Sequence, residues 1–258
     1  MLVHVDKAVV LNVKKSERLS QATSSRGNQL KWFHNNMYIK LNNGECYEDI
    51  SEVLVSYFLD FTNIKNYVEY FPCEIVEDGQ YMGVGCFSRS FLNEGETDIT
   101  FFRLLKNNGI DISCADYDTV MDNLLEVTGV DFKSYIDICL CVDAITFNDD
   151  RHFNNFSVIY TGNECKFAPI YDNGMACLSD VYMYPLDVPL EENLRKVFAK
   201  PFKFNFDEQL KDAHVTPILI RYNDFINSVN LSTENELRAF NVIKKGLERF
   251  KGLAWEEY

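Results

Sequence analysis

"TFNDDRHFNNFSVIY", residues 146–160, sets two acids, an arginine, a histidine and several asparagines inside an otherwise apolar stretch. "FKSYIDICLCVDAI" (132–145) precedes it, and "ECKFAPIYDNG" (164–174) follows. Such an interruption either caps turns or assembles chemistry. The spacing of the oxygen-bearing side chains is what bears on the choice. Asp150 and Asn155 lie five positions apart, and Asp172 lies seventeen beyond Asn155. "NFSVIY" and "CKFAPIY" surround "TGNE" and read as a small hairpin, which brings Asn155 and Asp172 together at its mouth. Both are oxygen ligands suited to magnesium, which takes few protein ligands and fills its shell with phosphates and water. Asp150 would project towards the same place, where a free carboxylate can orient a hydroxyl and accept its proton.

Working outward, the first 90 residues carry strand signals. "NMYIKLN" (36–42) alternates, and "NYVEYFPCEIV" and "YMGVGCFSR" flank the turn pair Asp78-Gly79. Between them "EDISEVLVSYFLDF" (48–61) has helical spacing, with Asp49 and Glu52 in a D-x-x-E pattern that predicts a capping box. Beyond residue 95 the texture turns helical: "ITFFRLLKNNG", "DYDTVMDNLLEVTG", "DFKSYIDICLCVDAI", "PILIRYNDFINSV" and "STENELRAFNVIKKGLERF". Thr233 and Glu236 offer a cap for the last of these. The hairpin at 155–169 is the one expected break in that pattern. The expectation is an α+β fold of two lobes. Residues 1–90 form a strand-rich small N-lobe, and residues 91–258 form a mainly helical C-lobe holding the polar loop and the later aspartate.

Composition narrows the function classes. The 258 residues are 47% hydrophobic and 14% aromatic, as in a folded globular protein. The formal net charge of −14 opposes a phosphate backbone, so direct nucleic-acid binding through a general basic surface is not expected. No apolar run reaches membrane-spanning length, and "MLVHVDKAVVLNVKK" lacks the marks of a signal peptide. The eight cysteines are irregularly spaced, with no C-x-x-C, and read as reduced thiols of a cytoplasmic protein.

The D-x-x-x-x-N spacing followed by a distal Asp is that of the protein-kinase catalytic loop and its metal-binding carboxylate. Kinase chemistry also needs a phosphate-cradling loop and a strand lysine. "TSSRGNQLK" (23–31) contains Gly27, which allows close backbone approach to a phosphate. Lys40, in "YIKLN", can turn its ammonium towards phosphate oxygens, or can be an ordinary strand lysine with its head in water. Neither G-x-x-x-x-G-K-[ST] nor G-x-G-x-x-G occurs, which excludes a standard P-loop.

Together these segments resemble the HipA-like serine/threonine kinases. The family's phosphate loop, approximately S-x-x-G-x-Q-x-K, is matched by Ser24, Gly27, Gln29 and Lys31. Its nucleotide lysine is matched by Lys40, its D-x-H-x-x-N loop by Asp150, His152 and Asn155, and its "aPlYD" segment by "APIYD" ending at Asp172. The resemblance implies an α+β, bilobal, protein-kinase-like fold with ATP bound between the lobes, Mg2+ on Asn155 and Asp172, and Asp150 as catalytic base. It also implies a protein substrate presenting a Ser/Thr acceptor. His152 is expected to brace the loop through a backbone hydrogen bond. Glu52 is the candidate partner of Lys40, with Glu48 open as the alternative. Ser24, or the adjacent Ser25, is expected to take phosphate from MgATP and so lower activity. The family's additional N-terminal subdomain has no counterpart before Ser24, so a short, stand-alone form is expected. A lipid or small-molecule kinase, a nucleotide-binding pseudokinase and a metal-dependent hydrolase built on Asp149, Asp150 and His152 are the competing readings.

Overall fold

A computed structural model describes residues 9–19, 29–42, 44, 46–112, 116–162, 164–213 and 217–256. Ser24, Ser25 and Gly27 lie outside these residues, whereas Gln29 and Lys31 lie within them.

Strands β1 (Val9–Val13), β2 (Lys31–His34), β3 (Met37–Leu41), β4 (Tyr70–Glu77) and β5 (Gln80–Arg89) form one sheet in the order β1-β4-β5-β3-β2. β1 runs parallel to β4, and the other pairings are antiparallel. Asp78 and Gly79 turn β4 into β5 with φ of 46° and 85°, the positive pair that a tight hairpin demands. Trp32, Ile39, Cys73 and Ile75 alternate inward and form a small core under this sheet. Gly85 on β5 lies against β3, where a Cβ would come within 2.0 Å of the Lys40 carbonyl oxygen. Glycine there lets the two strands close at the lysine's own position.

Helix α1 (Glu48–Asp60) crosses between β3 and β4. Its apolar face, with Leu54, Phe58 and Leu59 fully buried, joins the larger core built by the rest of the chain. The expected capping box does not form. Tyr47 is the N-cap and makes no side-chain cap bond. Asp49 instead accepts from the Asn42 amide at 2.6 Å, and Glu52 turns to Lys40. Contacts to other segments outcompete the local cap for both carboxylates.

Downstream come β6 (Thr97–Thr100), α2 (Phe101–Asn107), α3 (Tyr117–Thr128), α4 (Lys133–Thr146), β7 (Ser157–Thr161) and β8 (Glu164–Phe167). The last segments are α5 (Leu190–Leu194), α6 (Phe206–Asp212), β9 (Ile218–Ile220), α7 (Tyr222–Ser228), α8 (Glu234–Arg249) and β10 (Ala254–Glu256). The β7–β8 hairpin is present, and β6 joins it as a third strand. "ITFFRLLKNNG" therefore begins extended and becomes helical only at Phe101, capped by the Thr100 hydroxyl accepting from the Arg103 amide. "PILIRYNDFINSV" divides likewise: Ile218–Ile220 pairs with β10, and the helix starts at Tyr222. Runs of three or four β-branched and apolar residues fit either period, so pairing partners decided these two cases. The capping box at Thr233 and Glu236 is formed as expected. Among the described residues no helix is long and apolar enough to cross a membrane.

Candidate active site

The polar loop begins where α4 ends. Phe147 closes the helix with φ 51°, a left-handed conformation that costs a non-glycine residue about 1–2 kcal/mol. The cost is borne because the residues beyond are tied down. Arg151, with no solvent exposure, puts its Nε 2.9 Å from Asp143 Oδ2 and its Nη2 3.0 Å from Asp143 Oδ1. The same guanidinium donates to the Asn155 and Tyr171 carbonyls at 3.3 and 2.8 Å, and to Asn173 Oδ1 at 2.7 Å. One buried cation thus joins α4, the polar loop and the segment carrying Asp172. Burial pushes the Asp143 carboxyl above its usual range, and Arg151 opposes that rise.

Arg151 performs the bracing expected of His152. The His152 ring lines the cleft, but its buried Nδ1 makes no hydrogen bond, and its Nε2 is 4.0 Å from Asp150 Oδ2. Arg151 and Asp143 were the residues sequence reasoning missed. The available signal was a lone acid in the apolar run "CLCVDAI", since a fully buried carboxylate requires a cation.

The Asp150 side chain lies beside Lys200, with Oδ1 3.3 Å from the ammonium. Its carbonyl accepts from the Asn155 amide nitrogen at 3.0 Å. That bond commits the nitrogen, so the amide oxygen is the Asn155 atom that could take a ligand. Past β8 the chain runs beside residues 66–70: the Val68 amide donates to the Ile170 carbonyl at 2.9 Å. It then delivers Asp172 next to Tyr70 with φ 59°, a conformation rare outside glycine and concentrated at functional sites.

Asp172 meets the small sheet here. Lys40 Nζ is 2.8 Å from Asp172 Oδ1 and also pairs with Glu52 Oε1, while the ammonium stands 5.3 Å from the Tyr70 ring centroid. Glu52, rather than Glu48, takes the ion pair with Lys40. The second oxygen of Glu52 accepts from the Asn173 amide at 2.8 Å, so α1 grips both the lysine and the segment after Asp172. Burial would raise the Asp172 carboxyl, but Lys40 and then Lys31 hold it well below the usual carboxylate range. Burial would lower Lys40, and Asp172 and Glu52 reverse this and keep it charged. Lys31 is the cross-strand partner of Lys40, and burial followed by the Lys40 charge lowers it.

Lys31, Lys40, Asn155, His152 and Asp172 all line one cleft of about 530 Å3, together with Tyr38, Tyr70 and Phe91. Two ammoniums, an ionised carboxylate and an amide face a volume with aromatic walls, a surface suited to a polyphosphate with a flat apolar portion. Asp149 belongs elsewhere: its Oδ2 accepts from the Tyr184 hydroxyl at 2.5 Å. Among the described residues no cluster of three or more His, Cys, Asp and Glu side chains could hold a metal by itself.

No protein-family model matches the sequence, and no curated protein matches it. Solved structures do match. The crystal structure of the Helicobacter pylori proinflammatory kinase CtkA superposes with a TM-score of 0.65 at 13% identity, covering 94% of this chain and 96% of that one. HipA of Shewanella oneidensis MR-1, solved with HipB and its operator DNA, gives a TM-score of 0.48 at 16% identity, covering 92% of this chain and 66% of that one. The superposition on CtkA shows the fold: the chain has the α+β, kinase-like fold of that structure.

Proposed function

We propose that the chain is an ATP-dependent protein kinase that requires magnesium and transfers the γ-phosphate to Ser/Thr hydroxyls. The observation that carries this reading is the convergence of Lys31, Lys40, Asn155 and Asp172 on one cleft, with Asp150 on the loop beside it. Lys40, held by Glu52 and Asp172, would bind ATP phosphates as a fixed cation. The residues fit magnesium: Asp172 is held ionised, and Asn155 has its oxygen left to offer. When bound, the ion would neutralise charge across the phosphate oxygens. Asp150 would take the proton of the acceptor hydroxyl as its oxygen bonds to the γ-phosphorus and ADP departs with the bridging oxygen. Seven described cysteines, all unbridged, support a reducing compartment such as the cytoplasm.

Thermal melting with and without MgATP tests the binding half of this proposal. Ligand at a hundred times its Kd stabilises by about 2.7 kcal/mol, which raises Tm by roughly 5–10 °C for a chain of this size. The wild type should gain that shift and Asp172→Ala should lose it. Equal shifts in the two proteins would remove Asp172 from the metal site.

A further inference from the structure

Residues 195–206, "RKVFAKPFKFNF", contain four cations and no acid in a chain whose net charge is −14. They connect α5 to α6, and Lys200 within them reaches Asp150 Oδ1. The backbone of this loop is fixed from below. The Ala199 amide donates to the Phe204 carbonyl at 2.9 Å. Buried Gln209 accepts from the Phe202 and Lys203 amides at 3.0 and 3.3 Å and donates to the Lys200 carbonyl at 2.9 Å. Phe202 points inward, edge-on to Tyr117 and to Phe153 of the polar loop. Phe198 and Phe204 point outward, 59% and 80% exposed, with ring centroids 6.2 Å apart. A loop ordered by a buried glutamine has no folding reason to hold two phenylalanine rings in water.

We propose that this loop docks the acceptor polypeptide, and that it selects a segment carrying acidic residues and a bulky apolar side chain beside its hydroxyl. The proposal rests on the kinase reading for its purpose, because the anchor sits next to the carboxylate assigned to the acceptor. Its chemistry is independent of that reading. Arg195 and Lys196 would attract the acids, Lys203 being paired with Asp212 at 3.2 Å, and the Phe198–Phe204 pair would take the apolar side chain. Charge complementarity against an otherwise acidic surface sets the register and the on-rate, and the aromatic pair supplies the buried contact.

Fluorescence anisotropy with two labelled peptides decides it without requiring turnover. One peptide has a serine flanked by glutamates and a phenylalanine, and the other has lysines in place of the glutamates. The full chain should bind the acidic peptide at least about tenfold more tightly, and that preference should fall as salt rises. F198A/F204A should weaken binding about tenfold or more, and Lys196→Glu should erase the charge preference. Both variants should keep the wild-type shift in MgATP melting, because neither alters a residue of the cleft. Equal binding of the two peptides, or binding indifferent to both variants, would overturn the docking site. Preferential capture of a single-stranded oligonucleotide would overturn it too, in favour of a nucleic-acid surface. Should the peptides behave as expected while no phosphate is transferred to any protein, the kinase reading fails and the docking site stands.

Discussion

Asp150→Asn is expected to lower phosphoryl transfer at least about a hundredfold while leaving MgATP binding close to that of the wild type. Asparagine keeps the volume of aspartate, and the Asp150 carbonyl that accepts from Asn155 belongs to the backbone and survives the change. The substitution removes the carboxylate that would accept the hydroxyl proton, and with it the ion pair to Lys200. Single-turnover rates measured beside MgATP-induced shifts in Tm separate the two effects. Near-normal turnover would require another base. Asp149, its neighbour in sequence, is engaged by Tyr184 and is a poor replacement.

Arg151→Met should be the most destabilising single change near the site. It leaves the Asp143 carboxyl without a cation in a fully buried position. Breaking a buried pair from one side costs about 3–5 kcal/mol. For a chain of this length that lowers Tm by roughly 6–20 °C. D143L/R151M should recover a large part of the loss, since an apolar pair of similar volume carries no desolvation penalty. It should not recover transfer activity, because the guanidinium also holds the Asn155 and Tyr171 carbonyls and the Asn173 side chain. Calorimetry of the two variants beside the wild type checks the prediction. A single variant as stable as the wild type would mean that water or rearrangement satisfies Asp143.

Much of the small sheet was legible in the sequence. Asp78-Gly79 can be little but a hairpin turn, and "YIKLN" alternates too cleanly for another period. The convergence of Asn155 and Asp172 followed from the hairpin between them, because antiparallel pairing of β7 and β8 returns the chain to its start. Most long-range partners were illegible. The pairing of Glu52 with Lys40 came from the family resemblance, and nothing local says that Glu52 will also take the Asn173 amide instead of capping its helix. Nothing local says that Thr97–Thr100 will add a strand to a hairpin some sixty residues away. The role of Arg151 was hidden for the same reason. Its partner Asp143 lies eight residues earlier on a helix, and only the left-handed turn at Phe147 brings the two together.

Transfer itself is the most direct measurement of what the cleft does. Wild-type protein is incubated with γ-labelled ATP, magnesium and a generic protein acceptor, and the label is traced by phosphoamino-acid analysis. Label in phosphoserine or phosphothreonine, absent with Asp150→Asn and absent without magnesium, is the expected result. Label that appears equally with Asp150→Asn, or never enters protein while MgATP demonstrably binds, would contradict a protein-kinase cleft built on Lys40, Asp150, Asn155 and Asp172.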